Sequence, residues 1–237
     1  LRLLLNNMLL KKNINHFKYI FWILVLLIWI ISTFADRIWW NFYSNTPSWD
    51  QADYLNSALD HSRALPFIGG NGFIGFNSLL DLSPKIPPLA SIINGAVIAF
   101  SGDAPYKAAW SLSLWNAFFI FNIASWGLYL RGRKFSLFCV LISAFSPFLF
   151  YLRTDYFLEM PLISAITFYL FHLGKWSNKS SGGKWVQLLI SSIGCASSLL
   201  IKQSSFLVII PSLLFIFIIS FTRDNKFRFQ FLCLLII

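Results

Sequence analysis

Six long apolar runs dominate this sequence and restrict what it can fold into. They cover residues 17–34, 106–130, 135–152, 157–173, 185–201 and 206–222. Each is close to the roughly 20 residues that a helix needs to cross a bilayer. The chain is 57% hydrophobic and only 12% charged, which is too apolar for an ordinary soluble domain. We therefore predict an all-α polytopic membrane protein with one domain over residues 1–237.

Charge and cysteine usage exclude several other classes. The net charge is +10, but the basic residues are scattered between apolar segments instead of gathered on one polar face, so we expect no nucleic-acid partner. Cys139, Cys195 and Cys233 lie inside apolar runs without C-x-x-C spacing, which indicates neither disulfides nor a zinc site. The chain starts at Leu1 and ends in a short apolar run, so we expect it to be part of a longer protein.

The basic residues predict the orientation of the helices. The apolar stretch 87–102 is short, and if it does not span, most Lys and Arg residues fall on the cytoplasmic side, as the positive-inside rule requires. That side then holds the amino terminus and these residues: Arg2, Lys11, Lys12, Lys18, Arg131, Arg133, Lys134, Lys175, Lys179, Lys184, Arg223, Lys226 and Arg228. We predict a multi-pass protein of the plasma or inner membrane with a cytoplasmic amino terminus. Every acidic residue except Asp224 then lies outside.

Residues 35–105 form one large external loop in this topology, and a loop of that length indicates function. Within it, "SWDQADYLNSALDHSRAL" predicts an amphipathic juxtamembrane helix with Ser48 as N-cap and Gln51 completing a capping box. Leu55, Ala58, Leu59 and Leu65 share its apolar face, and Asp50, Asp53, Ser57 and Asp60 share the other. Asp50 falls in the first turn, where the helix dipole favours an ionised carboxylate. It is a candidate base or cation ligand, or simply a stabiliser of the helix.

Three other polar elements are candidates for the same external site. Lys85 in "SPKIPPL" (83–89) is either a snorkelling anchor or a phosphate contact. The turn "LRTDYFLEMPL" (152–162) carries Arg153, Asp155 and Glu159, with the two acids four residues apart. If the next helix has begun by then, Glu159 lies about one turn inside the apolar zone, where an ionisable group usually faces a polar cavity. Lys202, at the outer end of the run 185–201, could converge on that cavity.

These motifs, taken in order, resemble the amino-terminal half of the GT-C class of membrane glycosyltransferases. The likeness covers residues 17–215 and is greatest to the dolichyl-phosphate-mannose protein mannosyltransferase and aminoarabinose lipid A transferase group. It consists of an anchor helix followed by "DQADY", "KIPPL", "YLRGRK", "SPFLFYLRTDYFLEMPL" and "SLLIKQSSFLVIIP". The family has an Asp-Glu pair followed by Tyr where this chain has Asp50, Gln51 and Tyr54. Gln51 departs from the pattern and puts a two-acid mechanism in doubt.

The resemblance implies a polyprenyl-phosphate sugar donor, a lipid, polysaccharide or protein acceptor, and surrounding membrane lipids. Asp50 would be the catalytic carboxylate, and the donor would be bound by Tyr54, Lys85, Arg153, Asp155, Glu159 and Lys202. Asp50 and Glu159 are also candidate ligands for a divalent cation, Mg²⁺ or Mn²⁺, although the sequence shows no complete ligand set. The alternatives are a transporter or lipid flippase, and a non-catalytic relative that binds lipid. The hypothesis predicts that Asp50, Lys85, Arg153 and Glu159 line one outward-facing cavity.

Overall fold

A computed structural model of the chain describes residues 2–43, 49–65, 79, 81–82, 86–102, 105–178 and 184–220. Over these residues the structure is helical and contains no β-strand, as predicted. The helices are α1 (Arg2–Phe42), α2 (Asp50–Ala64), α3 (Pro88–Ser101), α4 (Pro105–Arg131), α5 (Arg133–Phe145), α6 (Pro147–Thr154), α7 (Glu159–Asn178), α8 (Lys184–Ile201) and α9 (Phe206–Ser220), with a 3₁₀ turn at Gln203–Ser205.

The helices form a bundle with α4 in the middle. α4 packs against α1, α3, α5, α6 and α7, and its buried face carries Leu112, Ile120 and Ala124. The backbones of α4 and α5 approach closely, because a Cβ on Gly127 would lie 2.6 Å from the Cα of Ser136. A second apolar cluster joins α7, α8 and α9.

One helical segment of the described residues, Tyr19–Phe42 in α1, is long and apolar enough to cross a membrane. The pair α5 and α6 is a second candidate if the two helices, bent by 51°, form one span. α3, most of α8, and α9 with the 3₁₀ turn are apolar but shorter. By length and composition, the described residues thus contain one candidate membrane span, or two if the bent pair of α5 and α6 counts as one.

The first helix is longer than the apolar run that predicts it. α1 continues through "ADRIWWNF" to Phe42, so the first residues of the predicted external region 35–105 belong to this helix. Asp36 does not end the helix because its carboxylate is buried in an ion pair with Arg153.

The run 135–152, predicted as one helix, is two. α5 ends at Phe145 and α6 begins at Pro147, and Ser146 between them is extended, with φ −60° and ψ 124°. Proline has no N–H to donate to the preceding turn, and its ring disfavours helical backbone at the residue before it. Pro147 therefore accounts for the break.

The predicted amphipathic helix is present as α2, which packs on α3. Leu55 and Ala58 are buried, and Asp50, Asp53 and Asp60 are exposed. Ser57, predicted on the polar face, is buried because its hydroxyl donates to Ser91 Oγ of α3 at 2.9 Å.

The start of α2 differs from the predicted capping box. The N-cap residue is Trp49, at φ 55°, and Ser48 lies outside the described residues. Gln51, the expected partner of Ser48, instead directs its amide to Asp155.

Candidate functional site

A polar cavity of about 220 Å³ lies between α2, the start of α3 and the junction of α8 with α9. Its lining consists of Tyr54, Ile86, Pro87, Leu158, Lys202, Gln203 and Ser204. These residues come from four stretches of the chain, at 54, 86–87, 158 and 202–204. The cavity is therefore built from parts of the chain that are far apart in sequence.

An ion pair between Lys202 and Glu159 lies beside this cavity. α8 ends at Ile201, and Lys202 is extended (φ −156°, ψ 130°); its Nζ donates to Oε1 of Glu159, the first residue of α7. The side chains are 28% and 32% exposed, so the pair is accessible without being fully solvated. Glu159 Oε2 is buried and has no hydrogen-bond partner. The predicted convergence of these two charges is confirmed.

Tyr54 is another polar residue in the lining of the cavity. Lys202 Nζ lies 6.0 Å from the centroid of its ring, which is at the limit of a cation–π contact. Burial raises the pKa of Tyr54; the charge on Lys202 opposes this rise, and Asp50, Glu159 and Asp53 add to it. The phenol therefore stays protonated at neutral pH and can donate a hydrogen bond.

The pKa of Lys202 reflects the same cluster. Burial lowers it and is the largest single influence, but the hydrogen bond that Lys202 donates to Glu159 and the electrostatic interactions with Glu159, Tyr54 and Asp50 together raise it above its usual value. The Lys202 ammonium therefore stays charged at neutral pH at the edge of the cavity. Such a charge can bind a phosphate.

Asp50 and Asp155 lie at the edge of this cluster. Asp50 is exposed in the first turn of α2, one turn before Tyr54. The neighbouring residue, Gln51, points its Nε2 at Asp155 Oδ2 over 3.5 Å, the outer limit of a hydrogen bond. The start of α2 thus faces the turn between α6 and α7.

Arg153 is not part of this cluster. Its guanidinium donates to Asp36 on α1, from Nε to Oδ2 at 2.7 Å and from Nη2 to Oδ1 at 3.1 Å. The two side chains are only 2% and 4% exposed. The prediction that Arg153 lines the outward-facing cavity is wrong, because its side chain is already engaged inside the bundle.

The position of Glu159 also differs from the prediction. α7 starts at Glu159, and Asp155 precedes it in a turn where Tyr156 has φ 55°. The two acids therefore do not share a helical face. Glu159 is the first residue of α7 and does not lie a turn inside the apolar segment. Lys85 lies outside the described residues, although Ile86 and Pro87, which follow it, line the cavity.

The ligand set for a divalent cation is poor in the described part of the chain. No group of three or more His, Cys, Asp or Glu residues is arranged there to hold a metal ion. Of the two candidates, Glu159 already binds the Lys202 ammonium, which competes with a cation for the same carboxylate. These residues do not fit Mg²⁺ or Mn²⁺, whose sites need several oxygen ligands.

A second, apolar cavity of about 400 Å³ opens on the side of the bundle between α3, α4, α7 and α8; three of its lining residues, Leu114, Phe118 and Ile193, are 38–55% exposed. Its lining is Leu89, Ile93, Leu114, Trp115, Phe118, Ala165, Phe168, Ile193, Gly194 and Ser197. Trp115 is held in this wall because its indole N–H donates to Asn94 Oδ1 at 2.8 Å.

The two cavities are bounded by the same two helices. Along α3 the polar cavity uses Pro87 and the apolar one uses Leu89 and Ile93; along α8 they use Lys202 and Ser197 respectively. Pro87 precedes Leu89 by two residues and Ser197 precedes Lys202 by five, which at 1.5 Å per residue is about 3 Å and about 8 Å along the chain. The two cavities therefore lie next to each other.

Sequence reasoning missed the neutral part of the lining. Gln203 and Ser204 follow Lys202 directly in "KQSS", and a polar stretch between two apolar runs was the available signal. Leu158 gave no signal in the sequence, because an apolar residue before a helix is common. Asp36 was also missed as a partner, although a charge beside an apolar helix implies one.

Comparison with models of known families, with curated proteins and with solved structures finds no match to this chain. The site must therefore be interpreted from its own chemistry.

Proposed function

We propose that this chain is a multi-pass membrane glycosyltransferase that moves a sugar from a polyprenyl-phosphate donor to an acceptor hydroxyl on the non-cytoplasmic side. The observation that carries the proposal is that the polar cluster Tyr54, Glu159 and Lys202 lies next to an apolar cavity. An amphipathic donor with a charged phosphate and a long apolar tail matches that arrangement.

The tail of the donor would occupy the apolar cavity, where removal of its methylene groups from water is favourable. Its phosphate would lie at the polar cavity, near the Lys202 ammonium and the Tyr54 hydroxyl. Both groups donate hydrogen bonds, and a preorganised cation stabilises the charge that develops on a departing phosphate. Lys202 replaces Arg153 in this role.

The reaction is a single displacement at the anomeric carbon. The acceptor oxygen forms the new bond to this carbon, while the bond to the phosphate oxygen breaks and the phosphate leaves with the electron pair. Asp50 takes the proton from the acceptor hydroxyl as general base. The anomeric centre is inverted. Glu159 Oε2, which has no partner, can accept a hydrogen bond from a hydroxyl of the donor sugar.

The proposed topology treats α3 as a helix that does not cross the membrane. α3 has 14 residues, or about 21 Å at 1.5 Å per residue, which is shorter than the roughly 30 Å of the hydrocarbon core. With α3 outside the count, the polar cavity lies on the face that carries most of the acidic residues.

The test is a transfer assay in membranes with radiolabelled polyprenyl-phosphate sugars. Asp50→Asn removes the base, and we expect transfer to fall by on the order of 10²–10⁴-fold. The matched control is Asp60→Asn, because Asp60 is an exposed aspartate of the same helix whose contact is a surface pair with Arg63.

A result in which Asp50→Asn and Asp60→Asn retain equal transfer would remove Asp50 from the mechanism. Lys202→Met should weaken donor binding, with Lys134→Met on the exposed start of α5 as its control. If no donor sugar is transferred by the wild-type protein, the transferase proposal fails as a whole.

One observation favours a transporter or flippase as the second candidate. The break of 51° between α5 and α6 is of the kind that discontinuous transporter helices show. The described residues at this break face an ion pair instead of an open cavity, so we rank this candidate second. A non-catalytic lipid-binding relative, suggested by Gln51, would bind donor in the same assay without transfer.

A further inference from the structure

The buried ion pair between Asp36 and Arg153 makes more hydrogen bonds than a single contact between two charges. Besides its two bonds to Asp36, Arg153 donates from Nη2 to the main-chain oxygen of Ala144 at 3.2 Å. One side chain thus ties together α1, the end of α5 and the last turn of α6.

The bond to Ala144 lies at the point where the helix is interrupted. The last carbonyl groups of a helix have no partner in the following turn, and Pro147 has no N–H to offer. The guanidinium satisfies one of these carbonyls and fixes the angle at which α6 leaves α5. The break is therefore held by a side chain and is not a free hinge.

The residues after Arg153 form a turn beside the polar cavity, and Leu158 in this turn lines it. Asp155, which faces Gln51 of α2, is two residues later, and Glu159, which binds Lys202, is six residues later. Between them Tyr156 is 1% exposed and has φ 55°, a conformation that a bulky residue adopts only where its surroundings determine it. The turn is thus fixed at both ends.

A role in stability alone does not explain a buried ion pair. Removing two charges from water costs about as much as their attraction returns, and apolar residues of similar size are often equally stable. What such a pair adds is a defined geometry, because a bidentate guanidinium and carboxylate meet in one orientation.

We propose that Asp36 and Arg153 are a positioning pair that sets the turn between α6 and α7, and so places Asp155 against Gln51 of α2 and Glu159 against Lys202 beside the polar cavity. The pair does not contact the substrate. This inference rests on the proposed function for its effect on catalysis, but the placement itself can be measured without any activity.

The first measurement is the rate of thiol crosslinking between Gln51→Cys and Asp155→Cys, in a background where Cys139, Cys195 and Cys233 are changed to Ser. A short bifunctional methanethiosulfonate reports the distance between α2 and the turn. In the double variant Asp36→Leu/Arg153→Leu, which removes both members of the pair, we expect crosslinking to slow several-fold while the protein accumulates normally.

The matched control removes an ion pair that is exposed. Asp60→Leu/Arg63→Leu deletes a pair on α2 whose side chains are more than half exposed, and the crosslinking rate should not change. If Asp36→Leu/Arg153→Leu does not accumulate, Arg153→Lys is used, because it keeps the charge and loses the bidentate geometry. Unchanged crosslinking in the variant that accumulates overturns the proposal.

The second measurement is the transfer assay on the same variants. A shift of Glu159 by about 1 Å should lower kcat by on the order of 10²-fold and raise KM for the donor, because in the proposed function Glu159 contacts the donor sugar. Slow crosslinking together with an inactive wild-type protein would support the positioning pair and contradict the proposed function. Normal kcat in Asp36→Leu/Arg153→Leu would overturn the positioning role in catalysis.

Discussion

Two long-range ion pairs in the described part of the chain, Asp36–Arg153 and Lys202–Glu159, have similar chemistry and opposite surroundings. Asp36 and Arg153 are 2–4% exposed inside the bundle, whereas Lys202 and Glu159 are 28–32% exposed at a polar cavity. The buried pair is bidentate and joins three helices; the other is a single contact with one carboxylate oxygen left unpartnered. The comparison indicates that the first pair fixes the framework and that the second remains available for a ligand.

This difference also separates what each pair contributes to stability. Removing one partner of a buried pair leaves an uncompensated charge in a low-dielectric environment, which costs about 3–5 kcal/mol. Removing one partner of an accessible pair leaves a charge that water can still reach, and such pairs contribute about 0–1 kcal/mol.

The largest effect is therefore expected for Arg153→Leu, which leaves the Asp36 carboxylate buried alone. We expect the free energy of unfolding to fall by about 3–5 kcal/mol, against at most about 1 kcal/mol for Lys202→Leu. Denaturant unfolding in detergent, followed by circular dichroism, measures both. Equal losses for the two variants would contradict the distinction between the pairs.

A second prediction asks whether α2 is placed by packing on α3 or by its charges. At Gly95 of α3, an added Cβ would lie 2.8 Å from the main-chain oxygen of Ala58 and 2.8 Å from His61 Cβ, both on α2. Gly95→Ala should therefore push α2 away and cost about 1–3 kcal/mol, as overpacking usually does. Transfer should fall as well, because Tyr54 moves with α2.

The matched control for this change is Gly174→Ala in α7. A Cβ there meets no atom within 4 Å, so alanine should be neutral or slightly stabilising in a helix. If Gly95→Ala behaves like Gly174→Ala, then α2 is not seated on α3 by close backbone contact.

The helices of this protein were largely predictable from sequence because apolar length is a local signal. The runs 106–130, 157–173 and 185–201 correspond to α4, α7 and α8 within a few residues. Helix ends were less predictable. The apolar run that predicts α1 ends at residue 34, yet the helix continues past Asp36, whose carboxylate pairs with Arg153, 117 positions away.

The site was predictable where topology alone brings residues together. Lys202 and Glu159 lie at the ends of two consecutive packed helices, so their meeting followed from the order of the helices. Arg153 was not predictable, because the turn of chain in which it lies decides whether it points to the cavity or into the bundle. Sequence spacing does not contain that rotation, and only the packing of α6 against α1 determines it.

The smallest expected effect concerns pH and tests the accessible pair alone. Although burial of Lys202 opposes its charge, the contact with Glu159 and the nearby charges raise its pKa above the usual value. A raised pKa in the folded state stabilises the fold fully below the unfolded value of about 10.5. As the pH rises from there through the folded pKa, this contribution is lost.

We therefore expect the free energy of unfolding to decline in this alkaline range by less than about 1 kcal/mol on account of Lys202, since the pair is partly screened by solvent. The measurement compares wild type with Lys202→Met between about pH 9 and pH 12, in low and in high salt, since salt screens accessible pairs. The difference between the two proteins should shrink as pH or salt increases. Tyr54 and Tyr156, whose pKa values are raised by burial, also titrate in this range and cause a decline in both proteins. A difference that stays the same at every pH and salt concentration would mean that the Lys202 pair contributes nothing measurable to the fold.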